Sequence, residues 1–299
     1  MTGSGEQFVH LPSGIDLCYE TFGDPSDPPV LLAMGLGGPM GWWTTSFCEA
    51  LAERGHFVIR YDNRDTGRST KLRQHKVGRG AVIRAFLGRG GAPYGISDLA
   101  DDAYGLLDAL GLETAHLVGV SMGGMIVQTM AIAHPERVSS LVSIMSTTGR
   151  RTVGWQHPKL IPGLLASSGR TRDSYIERSL KTGALIASPA FPTTLEDSVA
   201  RAEETYDRGW IASGVLRHML AVLTQPDRTE QLGALTMPVT VIHGLSDPLV
   251  HRSGGRATAA AIKGSHHVEI AGMAHDIPTQ LHAAIISEIS DTVARAAKV

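Results

Sequence analysis

Short apolar runs, separated by polar and glycine-bearing turns, recur along the first half of the chain. Residues 15–22 alternate apolar and polar side chains, the period of a half-buried strand. Residues 30–34, 57–61, 115–120 and 138–145 are short, mostly apolar runs, as expected of strands covered on both faces. Helical periods lie between them. The clearest is 97–111, where Leu99, Ala103, Leu106, Leu107 and Leu110 form one face. Ser97 is placed to cap that helix, Asp98 lies near its positive end and Gly111 stops it. Residues 42–54 also predict a helix, ended by Gly55, and 122–134 predict a small-residue, apolar one. Residues 1–7 are small and polar and are expected to be loose, and the basic, glycine-rich stretch 71–91 is expected to be a solvated excursion.

Beyond residue 147 the strand-type runs stop. Helical patches at 172–182 and 195–207 are separated by Pro and Gly, with Trp155, Tyr175, Phe191, Tyr206, Trp210 and Met219 scattered among them. The strand pattern returns at 239–243 and 268–271, and the tail 279–297 places Leu281, Ile285, Ile289 and Val293 four residues apart. Strands alternating with helices predict an α/β fold: a mostly parallel sheet with right-handed crossovers and helices on both faces. The expected division is a core of residues 1–148 and 233–299, with residues 149–232 inserted as a helical cap. Ligands in such sheets bind beyond the carboxyl ends of the strands. Leu36, Arg64, Ser121, Asp247 and His275 all fall just after a strand, so the polar candidates converge on one rim.

Composition narrows the partners. The 299 residues carry a formal net charge of −2, which gives no electrostatic case for nucleic acid. No apolar run approaches the roughly 18–20 residues of a membrane span, and the chain does not open on a charged and then apolar signal segment. Cys18 and Cys48 show no metal-ligand spacing and read as buried thiols of a reducing compartment, with a disulfide between them as the alternative, so the expected location is cytoplasmic. No nucleotide or metal motif occurs, and no cofactor or metal is expected. Monomer and homodimer both remain open.

The chemistry centres on Gly119-Val120-Ser121-Met122-Gly123, a G-x-S-x-G corner between a predicted strand and a predicted helix. A serine hydroxyl needs a base to accept its proton, and imidazole suits that task. Of thirteen histidines, His275 follows the last strand at the rim. His243 lies inside a strand and reads as a hydrogen-bonded core residue, while His266 and His267 precede the last strand, away from the rim. His116 begins a strand and His134 ends a helix. Asp247, after the penultimate strand, is the acid expected to orient His275. The backbone N–H groups of Met122 and Leu36 are the expected oxyanion donors, with Gly35, Trp155, Trp210 and Met219 expected to meet substrate.

Met34-Gly35-Leu36-Gly37-Gly38, Tyr61-Asp62-Asn63-Arg64-Asp65-Thr66-Gly67-Arg68-Ser69, the serine corner, Gly244-Leu245-Ser246-Asp247-Pro248 and Gly272-Met273-Ala274-His275 together resemble the α/β-hydrolase superfamily. Within it the chain is similar to the aclacinomycin methylesterase-like esterases, including mycobacterial lipase/esterase proteins. The resemblance covers roughly 8–148 and 233–297. Many relatives carry His-Gly where Met34-Gly35 stands and Gly where Asp65 stands, and both departures suit the methylesterase-like group. It implies a serine hydrolase that cleaves a carboxylic ester through an acyl-enzyme. The aromatic and Met content of residues 149–232 fits a bulky apolar small-molecule substrate, of polyketide ester or lactone type, and equally fits packing of the cap on the core. Two alternatives share the same site residues: a perhydrolase or cofactor-free haloperoxidase activity, and a non-catalytic small-molecule-binding member of the fold.

Overall fold

The computed structural model of the protein describes residues 3–160 and 171–298. Eight strands form one sheet: β1 (Gln7–His10), β2 (Asp16–Phe22), β3 (Pro29–Ala33), β4 (Phe57–Tyr61), β5 (Ala115–Val120), β6 (Val138–Ile144), β7 (Val239–Gly244) and β8 (His266–Ile270). Their order is β1-β2-β4-β3-β5-β6-β7-β8. From β4 to β8 neighbouring strands run parallel, while β2 pairs antiparallel with β4 and β1 with β2.

Alternation along each strand sends successive side chains to opposite layers. On one face Leu31, Ile59, Leu117, Leu141 and Val241 pack under α3 (Ile96–Ala109) and α4 (Met122–Ala133). On the other, Leu32, Val58, Val118, Val142 and Ile242 pack under α1 (Thr45–Ala52) and the last helix, α10 (His282–Ala296). Both layers are apolar, which explains why the inner strands read as nearly unbroken hydrophobic runs. Cys18 and Cys48 are buried and free, and burial foremost pushes both thiols up to about 12.

Several expectations need correction. Residues 1–7 are not loose throughout, because Gln7 already pairs with Tyr19 in the edge strand. The segment 71–91 contains α2 (Arg79–Phe86), whose Val82 and Ala85 are buried. Helix α3 starts at Ile96, with Gly95 as N-cap, and Asp98 accepts from the Gly95 N–H at 2.8 Å; Ser97 is already inside the helix. Residues 42–54 divide into a 3₁₀ turn (Met40–Trp42) and α1, capped by Thr44, which accepts from the Phe47 N–H. The last strand starts at His266, so His266 and His267 lie in it.

Between β6 and β7 the chain forms α5 (Arg172–Ile186), α6 (Leu195–Asp207), α7 (Ala212–Thr224) and α8 (Thr229–Leu232). Tyr175 on α5 packs at a tilt against both Tyr206 and Trp210, with ring centroids 5.5 and 4.4 Å away. Helix α7 packs Met219 and Leu220 against Val82 and Ala85 of α2, forming a third apolar cluster that Leu36 also touches. Helix α9 (Ser253–Ala261) joins β7 to β8. Among the described residues no helix is long and apolar enough to cross a membrane.

Candidate active site

Strand β5 ends at Val120, Ser121 forms the corner, and α4 begins at Met122. Ser121 has φ 56° and ψ −116°, backbone that an L-residue occupies only when its surroundings enforce it. The enforcement is visible. The Ser121 N–H donates to Ile144 O at 2.9 Å, and Ser146 Oγ donates to Ser121 O at 2.7 Å. A Cβ at Gly119 would lie 2.2 Å from Gly123 O, and one at Gly123 would lie 2.0 Å from Ala33 O. Both glycines are therefore required by close backbone approach.

His275 follows β8 in a loop whose backbone N–H donates to Ile186 O on α5 at 3.0 Å. Its Nε2 lies 3.0 Å from Ser121 Oγ, and its Nδ1 lies 2.7 Å from Asp247 Oδ2. A carboxylate only accepts, so the pair places the imidazole proton on Nδ1 and leaves Nε2 free to accept from the serine. Asp247 follows β7 with its side chain buried, and its Oδ1 accepts from the Leu249 and Val250 N–H groups at 2.8 and 2.9 Å. Burial alone would raise its pKa. The charge of His275 and hydrogen bonds from His243 and His275 outweigh that and hold the carboxyl well below the usual range. His243 is buried in β7, with Nε2 2.8 Å from Val250 O and 3.5 Å from Asp247 Oδ2. His116 meets Ser140 at 2.8 Å and His266 meets Glu288 at 3.2 Å. Among the described residues no group of three or more His, Cys, Asp or Glu is arranged to hold a metal ion.

The Gly35-Leu36-Gly37-Gly38 loop runs beside the serine. A Cβ at Gly35 would lie 3.2 Å from Ser121 Cβ. The Leu36 N–H makes no hydrogen bond among the described residues. Met122 is the first residue of α4, where no earlier helical carbonyl serves its N–H. Both N–H groups are thus without a hydrogen-bond partner among the described residues. A largely apolar cavity of about 1540 Å³ opens over them, and Ser121, His275, Gly35, Trp155, Trp210 and Met219 all lie on its wall.

The loop after β4 supports this arrangement in a way the sequence did not reveal. Asp62 is fully buried; its Oδ1 accepts from the Met40 N–H at 2.7 Å, and its Oδ2 from the Arg68 N–H and Arg208 at 2.8 and 2.6 Å. Asn63 Nδ2 donates to Met34 O at 3.2 Å. Asp65 receives both arms of Arg217 at 2.7 Å and the Tyr94 hydroxyl at 2.7 Å. Arg64, a rim candidate, turns its side chain instead to Asp102 on α3, at 2.6 and 2.7 Å. The available signal was the Arg217-His218 pair standing in the otherwise apolar stretch of α7.

The chain matches the model of the α/β hydrolase fold family over residues 28–278. It is 30% identical to the rhodomycin D methylesterase DauP of Streptomyces sp. (strain C5), over 92% of this chain and 94% of that protein. It is 29% identical to a putative carbamate hydrolase, RutD, of Variovorax paradoxus (strain S110), over 87% and 90% of the two chains. The crystal structure of an enol-lactonase from Burkholderia xenovorans LB400 shares the fold with a TM-score of 0.73 at 22% identity, over 96% of this chain and all of that one. The chain belongs to the α/β-hydrolase fold family, in its methylesterase-like branch of ester-hydrolysing enzymes.

Proposed function

We propose that the protein is a serine hydrolase that cleaves a bulky, largely apolar carboxylic ester, of the polyketide ester or lactone type, through an acyl-enzyme. The observation that carries this reading is the continuous relay from Asp247 to His275 to Ser121, at 2.7 and 3.0 Å, opening into the large apolar cavity. Ser121 Oγ attacks the ester carbonyl as His275 Nε2 takes its proton. Asp247 keeps the Nδ1 proton in place and stabilises the imidazolium. The N–H groups of Met122 and Leu36 receive the charge that develops on the carbonyl oxygen. His275 then protonates the leaving alcohol, and a water deprotonated by the same nitrogen releases the acid. Helices α5–α7 act as the cap that walls the acyl site, with Gly35, Trp155, Trp210 and Met219 as substrate contacts. Relatives named as methylesterases support an ester as the substrate class.

The test combines labelling with a substrate panel. A fluorophosphonate should label the wild type and not Ser121→Ala. Across p-nitrophenyl and methyl esters of increasing acyl bulk, kcat/KM should rise with bulk and vanish in Ser121→Ala. Labelling that survives the substitution would overturn the nucleophile; a sharp preference for acetyl esters would overturn the substrate class.

A further inference from the structure

His218 is the fully buried histidine of α7, far in sequence from every residue of the proposed catalytic set. Its two ring nitrogens are both engaged. The Gly37 N–H donates to Nδ1 at 3.2 Å, and Nε2 lies 2.8 Å from Arg64 O. A backbone N–H only donates and a carbonyl only accepts, so Nδ1 is bare and Nε2 carries the proton. Burial foremost lowers the pKa of this imidazole to about 4, which keeps it neutral near pH 7.

The partner peptide matters because of where it sits. The Gly38 N–H donates to Gly35 O at 3.1 Å, and Gly37 has φ 69°. That bond with positive φ at the third residue is the signature of a type II turn. Types I and II differ by a flip of the central peptide, here the one joining Leu36 to Gly37. The N–H that would rotate in that flip is the one held by His218. The turn also has a second brace from α7, since a Cβ at Gly37 would lie 3.1 Å from Val215. Immediately beside His218, Arg217 forms the buried ion pair with Asp65 that anchors α7 to the loop after β4.

We propose that His218 is a positioning residue, which locks the Leu36–Gly37 peptide in one orientation and so fixes the neighbouring Leu36 N–H as an oxyanion donor. The role rests on the hydrolase reading above. It makes a helix of the cap part of the machinery that stabilises the transition state, through its backbone and not through substrate contact. The cap therefore sets turnover as well as substrate choice.

Two amides separate the nitrogens. His218→Asn keeps an acceptor where Nδ1 stands and gives up the bond to Arg64 O. His218→Gln reaches the Arg64 carbonyl with its amide nitrogen and leaves the Gly37 N–H without an acceptor. On a p-nitrophenyl ester, His218→Gln should lower kcat about 10²-fold with KM within about twofold, as expected when an oxyanion donor loses its aim. His218→Asn should recover most of that loss. Equal losses in the two variants, or a loss confined to KM, would overturn the positioning role. Absence of Ser121-dependent turnover in the wild type would instead sink the hydrolase reading, and the role with it. Wild-type protein labelled with ¹⁵N at histidine gives a readout that needs no folded variant. His218 should appear as the neutral Nε2–H tautomer from pH 6 to 8, and an Nδ1–H tautomer would overturn the lock.

Discussion

Ser121 holds its left-handed backbone only because three strands and a helix meet around it. Gly123 faces the carbonyl of Ala33 on β3, two residues before Gly35, so the serine corner and the Leu36 loop share one backbone contact. A methyl group there has no flexible side chain to push aside, because the atom in its way is a backbone oxygen 2.0 Å from the ideal Cβ. Relief must come from moving β3 and the loop that follows it. Gly123→Ala should therefore cost about 1–3 kcal/mol of stability, the usual scale for overpacking. Its kcat should fall by about 10²-fold or more through displacement of the proposed oxyanion donors. Chemical denaturation and single-substrate kinetics check this; an alanine variant with wild-type kcat would show that the corner relaxes without disturbing the donors.

At the scale of elements, α7 is seated on the loop after β4. The helix is fastened by Arg217, fully buried and bidentate with the equally buried Asp65. Burial would raise the Asp65 carboxyl, but hydrogen bonds from Arg217, Tyr94 and Leu72 hold it below its ordinary value. Removing one partner of such a pair leaves a buried charge without compensation, at a cost of about 3–5 kcal/mol. Arg217→Met should show that loss, and Arg217→Met combined with Asp65→Asn should recover part of it in urea unfolding. A double variant as unstable as the sum of its singles would mean the two residues do not act as a pair. This fastening explains what was legible in the sequence. The inner strands announce themselves because both faces are covered, and Ser121, Asp247 and His275 fall at or in the short loops just after strand ends. Helix α2 was missed because its glycine-rich, basic surroundings carry little helix signal of their own; it is held by Met219 and Leu220 across the α7 interface. Asp65, Arg217 and His218 were missed for a related reason. A charged residue is assigned to solvent by default, and the partner that buries Arg217 lies 152 residues away.

Over the whole molecule, the same burial that aligns the site makes the fold sensitive to acid. His116 and His218, both buried, are lowered from 6.5 to about 4, foremost by desolvation. His116 faces His56, whose pKa is also lowered by burial, and His218 faces Asp65, Arg217 and Arg64. For each lowered histidine the unfolded chain takes up a proton between about 6.5 and 4 that the folded chain refuses. Their contribution to stability is therefore full above the unfolded pKa and is lost as pH falls through that window. For a shift from 6.5 to about 4 the loss is on the order of 3 kcal/mol per residue. The lowered carboxylates Asp65 and Asp247 act in the same direction at lower pH: their stabilisation is present above the ordinary carboxylate pKa and lost on further acidification. Acid unfolding should thus begin well above the carboxylate range. Urea midpoints measured every half unit from pH 7 to 4.5 should fall steadily from about pH 6.5. His116→Asn places an amide oxygen where Nδ1 meets Ser140, and it should reduce the slope by up to about 1.4 kcal/mol per pH unit, one proton's worth. A profile flat to pH 5, or a slope unchanged in His116→Asn, would show that these histidines are not held neutral by the fold.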